Sequence, residues 1–145
     1  AQGLDPVQAL LDLLDRRADL TAMVDVWVQC FDLAPLRRLR RQRELPCARL
    51  CEQWPSDLPS RAHSVQGLAV RKDNLLDDLH LGARRVAAAQ ACGLAVHAWT
   101  FRNDADPTGA SNAVAALASA YALGVDAIFT DHPATALGVR KGWMR

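Results

Sequence analysis

The sequence predicts an α/β fold built on a parallel sheet. Three observations carry that expectation. Segments with an apolar period of two alternate along the chain with segments of helical period, the pattern of βαβ units. Two helix-like stretches stop at Gly93 and Gly124, and each is followed at once by an apolar strand-like run. The strand-like run from Leu94 to Asp104, LAVHAWTFRND, gathers an indole, a hydroxyl, a guanidinium and an amide toward its end. Ligands bind at the carboxyl ends of strands in such sheets.

The elements follow in order. Asp5 as N-cap and Pro6 at the first helical position open a helix whose core stripe is Val7, Leu10, Leu11 and Leu14. Met23 to Phe31 alternates Val24, Val26, Val28 and Cys30 with Asp25, Trp27, Gln29 and Phe31, which predicts a strand. A polar second face of that kind suits a barrel interior. Asp32 caps a helix from Ala34 to Glu44 that holds Arg37, Arg38, Arg40, Arg41 and Arg43. These arginines read as a solvated outer face rather than a phosphate-binding helix, because no aromatic residue interleaves them.

Leu45 to Cys51 is a short strand opened by Pro46, and Glu52 to His63 reads as loop. Val65 to Val70 is the next strand, with Gly67 marking a close approach or a bend. A helix from Leu75 to Ala91 presents Leu75, Leu79, Ala83, Val86 and Ala87, with Gly93 just past its end. In the run that follows, alternation puts Ala95, His97, Trp99 and Phe101 on one face, and Val96, Ala98 and Thr100 on the other. Asp104 to Gly109 is a turn, and Ala113 to Leu123 a helix with Val114, Leu117, Ala118 and Tyr121 inward. Asp126 to Asp131 is the last strand, and Asp131 or His132 caps the last helix before Pro133.

The totals fit one domain over residues 1–145: 50% of them are hydrophobic and 23% charged, which is ordinary for a globular chain. A formal net charge of +1 gives no general attraction to nucleic acid or anionic membrane. No run approaches the ~18 apolar residues of a membrane span. No leader pattern opens the chain, and no initiator Met does either, so a mature form or an excerpt is expected. Cys30, Cys47, Cys51 and Cys92 have no paired spacing of a zinc site and are expected as free, buried thiols. No GxGxxG follows a strand, which argues against a dinucleotide fold.

Four stretches together resemble the glycerophosphodiester phosphodiesterases. The family closes with a strand bearing Trp-Thr or Tyr-Thr, matched by Trp99-Thr100. Its last strand ends Gly-Val-Asp-x-x-x-Thr-Asp-x-Pro, matched from Gly124 to Pro133. An earlier strand ends Gln-Ser-Phe-Asp, matched by Gln29-Cys30-Phe31-Asp32, a form similar to the periplasmic-type members. Val65 to Val70 resembles a short strand with a central glycine.

The resemblance implies that the chain is the C-terminal portion, about five strands, of a (β/α)8 TIM barrel. Such a barrel usually needs about 250 residues. The family's His-Arg-Gly, Glu-x-Asp, His-Asp and Glu-x-Lys are not in this sequence. These supply its histidine acid and base, its carboxylate ligands for one divalent metal (calcium or magnesium) and a phosphate-facing lysine. The expectation is therefore no catalytic residue and no metal ligand here, and a segment inactive alone. The parent enzyme would hydrolyse a small-molecule glycerophosphodiester to glycerol 3-phosphate and an alcohol.

The residues expected at the substrate are Trp99, as an apolar wall for the glycerol or alcohol moiety, then Phe31, Gln29 and Arg102. Gln29 also suits a hydrogen bond within a polar barrel layer, and Arg102 and Asn103 a turn at the strand mouth. His97 reads as a hydrogen-bonded core residue, Asp131 as a helix cap, and Arg71 and Lys72 as strand-end charges without support from the resemblance. A second class of function is a non-catalytic module that associates through exposed sheet edges, as a homo-oligomer or with its missing half. A third is another phosphate-binding barrel. The compartment stays open, with the resemblance tilting it toward the periplasm.

Overall fold

The computed structural model describes residues 3–104 and 110–143. Its sheet has five parallel strands in chain order: β1 (Val28–Cys30), β2 (Cys47–Cys51), β3 (Gly67–Arg71), β4 (Ala95–Phe101) and β5 (Ala127–Thr130). The helices between them are α1 (Pro6–Arg16), α2 (Ala18–Thr21), α3 (Leu33–Gln42), α4 (Leu58–Ala62), α5 (Asp73–Leu76), α6 (Leu79–Ala91), α7 (Ala110–Ala122) and α8 (Pro133–Trp143). Parallel neighbours need crossovers, and here each crossover runs to the next strand along. The result is half of a (β/α)8 barrel, with helices outside and a concave strand face within.

Local chemistry sets the ends of the helices. The Asp5 carboxylate accepts from the Val7 and Gln8 amides at 3.1 and 3.3 Å, with Pro6 in the first turn. Asp32 accepts from the Ala34 amide at 3.0 Å. The His132 carbonyl accepts from the Ala136 amide at 3.3 Å, so His132 rather than Asp131 holds the cap position of α8. Gly93 and Gly124 end their helices at φ of 75° and 78°, a conformation that costs glycine no Cβ clash.

The core lies between the sheet's outer face and the helices. Cys47, Cys51, Leu68, Val70, Val96 and Ala98 meet Val7 and Leu11 of α1, Leu36 and Leu39 of α3, Val86 and Ala89 of α6, and Leu117 and Ala120 of α7. All four cysteines are free; Cys47 and Cys51 are buried, and burial pushes both thiols above their ordinary pKa. Cys30 and Cys92 are only partly buried.

Several expectations change. The first strand is much shorter than Met23 to Phe31: Met23 and Val24 are 80% and 60% exposed, having no neighbouring strand to pair with. The stretch read as loop holds α4, and α2 follows α1. The helix expected from Leu75 breaks at Asp77-Asp78, because the Asp78 carboxylate accepts from the Leu81 amide and starts α6 afresh. Its buried face is accordingly Gly82, Val86 and Ala89, with Leu79 exposed. On α7, Ala120 is buried and Val114 is 42% exposed. The turn expected at Asp104 to Gly109 lies largely outside the described residues.

Two of the α3 arginines are not a solvated face. Arg38 reaches Asp5 and Arg43 reaches Asp15, each at 2.5 Å, and the two pairs fasten α3 to α1. On β4, Phe101 leaves the face of His97 and Trp99. A register shift against β5 between Ala98 and Phe101 turns the ring into the outer core, where it is 1% exposed.

Gly82 marks the tightest packing. A Cβ there would press into the Leu75 backbone carbonyl well inside contact distance. Gly82→Ala is expected to destabilise the chain by about 3 kcal/mol through overpacking, read by urea unfolding. A cost no greater than an exposed helical Gly→Ala change would show that α5 yields freely.

Candidate functional site

The concave face is lined with small residues at its base and rings toward its rim. Ala48, Gly67 and Ala95 sit side by side in register on β2, β3 and β4. Trp27, just before β1, lies over them: a Cβ on Gly67 would meet the Trp27 ring and the Ala95 carbonyl at 3.1 Å each. The close approach expected at Gly67 is therefore between its backbone and an indole.

His97 lies under that indole. Its ring stands edge to face with Trp27 at 4.6 Å between centroids and tilted against Phe129 at 6.1 Å. The Gln29 amide donates to Nδ1 at 3.2 Å, which assigns the ring proton to Nε2. His97 is 3% exposed, and burial holds its pKa below the ordinary value, with Asp126 pulling weakly the other way. A neutral, hydrogen-bonded histidine fills the interior without an orphaned nitrogen, which would cost about 1–3 kcal/mol. It is a core residue, as its place two positions before Trp99 suggested.

Trp99 lies one pleat nearer the carboxyl end. Its indole N–H donates to the Ala69 carbonyl at 2.8 Å, which fixes the ring across β3. Phe31, 51% exposed, meets it edge to face at 5.9 Å and 88°. Such a pair contributes about 0.5–1.5 kcal/mol beyond its buried area. The two rings form an open apolar corner at the barrel mouth.

Beyond the corner stand charges. Arg102 pairs with Asp104 and with Asp131 at 3.2 Å each. Asp104 first and Asp131 second raise the guanidinium's pKa, and Arg102 holds the Asp104 carboxyl below its usual range. His132 Nε2 is 3.6 Å from Asp104. Asn103 does not face the mouth; its amide donates to Thr135 Oγ1 at 2.9 Å. Across the sheet, Arg71 pairs with Asp73 at 2.7 Å and Glu52 at 3.5 Å, and Lys72 lies 5.8 Å from the Phe101 ring centroid.

Trp99 and Phe31 are thus together, Gln29 is turned to His97 below them, and Arg102 stands at the rim. Among the described residues, no three His, Cys, Asp or Glu side chains gather as metal ligands would. The described residues do not by themselves fit the divalent metal that the resemblance implies for the parent enzyme. Sequence reasoning passed over Asp126. Its carboxylate accepts from the Val96 amide at 2.8 Å and from the Gln90 amide at 3.2 Å, so it ties β4, β5 and α6 together. Its position in Gly124-Val125-Asp126, right after the left-handed glycine, was the available signal. Phe129, the other ring against His97, carried no signal beyond strand alternation.

Residues 5–135 match the glycerophosphoryl diester phosphodiesterase family. The chain belongs to that family. Solved structures agree on the fold. A glycerophosphoryl diester phosphodiesterase from Agrobacterium tumefaciens str. C58 is 25% identical with a TM-score of 0.68, over 98% of this chain and 54% of that one. One from Silicibacter pomeroyi DSS-3 is 24% identical with a TM-score of 0.65, over 92% and 42%. A phosphodiesterase from Oleispira antarctica, in complex with the product sn-glycerol-3-phosphate, is 17% identical with a TM-score of 0.70, over 93% and 49%. This family chain spans about half the length of these solved relatives. No curated protein matches it significantly.

Burial of His97 has a measurable consequence. The unfolded chain takes up the proton at the ordinary value of 6.5, before the folded chain does. Stability is therefore full above pH 6.5 and declines as pH falls through 6.5 toward the lower folded value. The carboxylates held down by partners, Asp5, Asp57, Asp78 and Asp104, add their losses only from 3.8 downward. Urea unfolding between pH 7 and pH 5 is expected to show this decline, and His97→Gln to flatten it whatever its own stability. An unchanged slope in that variant would mean another group carries it.

Proposed function

We propose that this chain supplies the substrate-lining half of a glycerophosphodiester phosphodiesterase, an enzyme that adds water to a glycerophosphodiester and releases glycerol 3-phosphate and an alcohol. The observation that carries the reading is the corner made by Trp99 and Phe31 at the carboxyl end of the sheet, with Trp99 pinned to the Ala69 carbonyl. The corner holds the carbon skeleton of the glycerol or alcohol moiety and keeps bulk water from one side of the ester. Its rigidity matters, because orienting a substrate accelerates a reaction only when the wall does not move. Gln29 acts from behind, by ordering His97 under Trp27. Arg102 stands at the rim on the phosphate side, where its guanidinium would exchange Asp104 or Asp131 for a phosphoryl oxygen.

The proton donors and the metal ligands of the reaction belong, in this reading, to strands other than these five. Attack on a phosphodiester needs a positioned water and a protonated leaving oxygen, and no side chain in the corner can provide either. The purified 145-residue chain is expected to bind glycerol 3-phosphate without turning over glycerophosphodiesters. Tryptophan fluorescence should report saturable binding, weakened about tenfold or more in Trp99→Ala. Binding that survives that change intact would remove the corner from the site. Turnover by the chain alone, abolished by chelator, would overturn the division of roles.

A second reading is association through the sheet edges. Among the described residues β1 and β5 each have a partner strand on one side only, and Phe31 and Trp27 border the β1 edge. Open edges of this kind template pairing with another strand. Sedimentation velocity across a dilution series tests it: a concentration-dependent dimer supports edge pairing, and a monomer throughout rules it out. Membership of the phosphodiesterase family leaves no role for the third expectation, an unrelated phosphate-binding barrel.

A further inference from the structure

Four arginines crowd α3 and Arg43 caps its end, and the structure divides them by task. Arg38 is neutralised by Asp5, the N-cap of α1, and Arg43 by Asp15 within it. Arg37, Arg40 and Arg41 turn elsewhere. With His63 and Ser64 they line a surface groove of about 400 Å³ that, among the described residues, no carboxylate borders. Among the described residues none of the three pairs with an acidic side chain within salt-bridge distance.

Two of them are positioned by one neutral residue. Arg37 donates to Ser64 Oγ at 3.1 Å, and Arg40 donates to the Ser64 carbonyl at 2.6 Å. Ser64 thus orients both guanidiniums while cancelling no charge. Arg41 lies one turn from Arg37 on the same helix face, at the i+4 position. The His63 ring is itself held, its Nδ1–H donating to the Pro59 carbonyl at 2.8 Å. The groove opens between the end of α3 and the segment entering β3. That is the amino-terminal side of the sheet, away from Trp99 and Phe31.

Three like charges brought together repel, and screening by salt lessens that cost only in part. The chain has 16 Asp and Glu to its 17 Lys and Arg, yet among the described residues no carboxylate lines this groove. Guanidiniums with several unused N–H donors in a fixed fork suit planar, multiply charged oxyanions best. We propose that this groove is a binding site for a compact phosphate-bearing anion, separate from the barrel mouth. A single carboxylate would engage too few of the donors, whereas two linked phosphoryl groups can engage all three arginines at once. The proposal does not depend on the phosphodiesterase reading.

Inorganic pyrophosphate is the probe. Calorimetric titration of the whole chain is expected to show one saturable site whose affinity falls as sodium chloride rises. Arg37→Gln with Arg41→Gln is expected to weaken it at least tenfold; both side chains are exposed, and circular dichroism should report an unchanged fold. Arg84→Gln, on the exposed face of α6, removes one positive charge elsewhere and should leave the affinity within about twofold. No saturable binding, or equal weakening by Arg84→Gln, overturns the site. Vesicles of phosphatidylglycerol separate the two sources of phosphate. Retention on vesicles without pyrophosphate binding would mean a lipid surface is recognised instead, and the compact anion would be wrong.

Discussion

The candidate site depends on β4 being held from both sides, and the bond that decides it is the Val96 amide to the Asp126 carboxylate at 2.8 Å. The Asp126 amide returns a hydrogen bond to the Val96 carbonyl at 2.8 Å, so one residue closes both ends of the step between β4 and β5. That pairing sets His97 opposite Ala127. On the other side, β3 brings Ala69 opposite His97 and Arg71 opposite Trp99. A slip of one residue would exchange the faces of β4 and put Ala98 where His97 now lies. The corner of Trp99 and Phe31 is thus a consequence of register, and register follows from one carboxylate after a left-handed glycine.

Size and polarity then arrange the concave face. Glycine and alanine at its base leave room for the Trp27 indole, which covers His97 and excludes water from it. Burial in turn favours the neutral imidazole, and the Gln29 amide supplies the partner that a neutral Nδ1 requires. A charged residue there would have to leave or be paired. Farther out the same face is open, and the charges of Arg102, Asp104 and Asp131 satisfy one another in solvent. The face thus grades from a dry base, through the apolar corner of Trp99 and Phe31, to a rim whose charges are paired with one another. The groove beside Ser64 has a different construction, since there a neutral residue aligns the cations and leaves their charge free.

Much of this was legible beforehand. The apolar periods, the caps at Asp5 and Asp32 and the glycines at 93 and 124 are local signals, and local hydrogen bonding alone satisfies them. The resemblance rested on short runs such as Trp99-Thr100 and Gly124-Val125-Asp126, and residues 5–135 match the family as those runs suggested. The split of the Leu75 to Ala91 stretch was less visible. Leu75 and Val86 both looked like one helix's stripe, although Asp78 was a cap waiting to be used. Strand β1 failed for another reason: the alternation of Val24 and Val26 is genuine, but a strand exists only where another strand pairs with it, and pairing is not written in the period.

By itself the sequence determined the order of elements, their caps and stops, and which residue types could line a pocket, because these depend on contacts within a few residues. The tertiary structure alone decided which side chains meet. Phe101 shares the parity of Trp99 yet packs outward, since the register shift next to it reverses the alternation. Gln29 is committed to His97, separated from it by 68 positions in sequence. Arg38 and Arg43 find carboxylates at the cap and in the body of α1 while Arg37 and Arg40 find Ser64, although all four lie on α3 or at its C-cap. Such choices are set by crossing chains that bring distant residues within hydrogen-bond reach, and no local pattern encodes them.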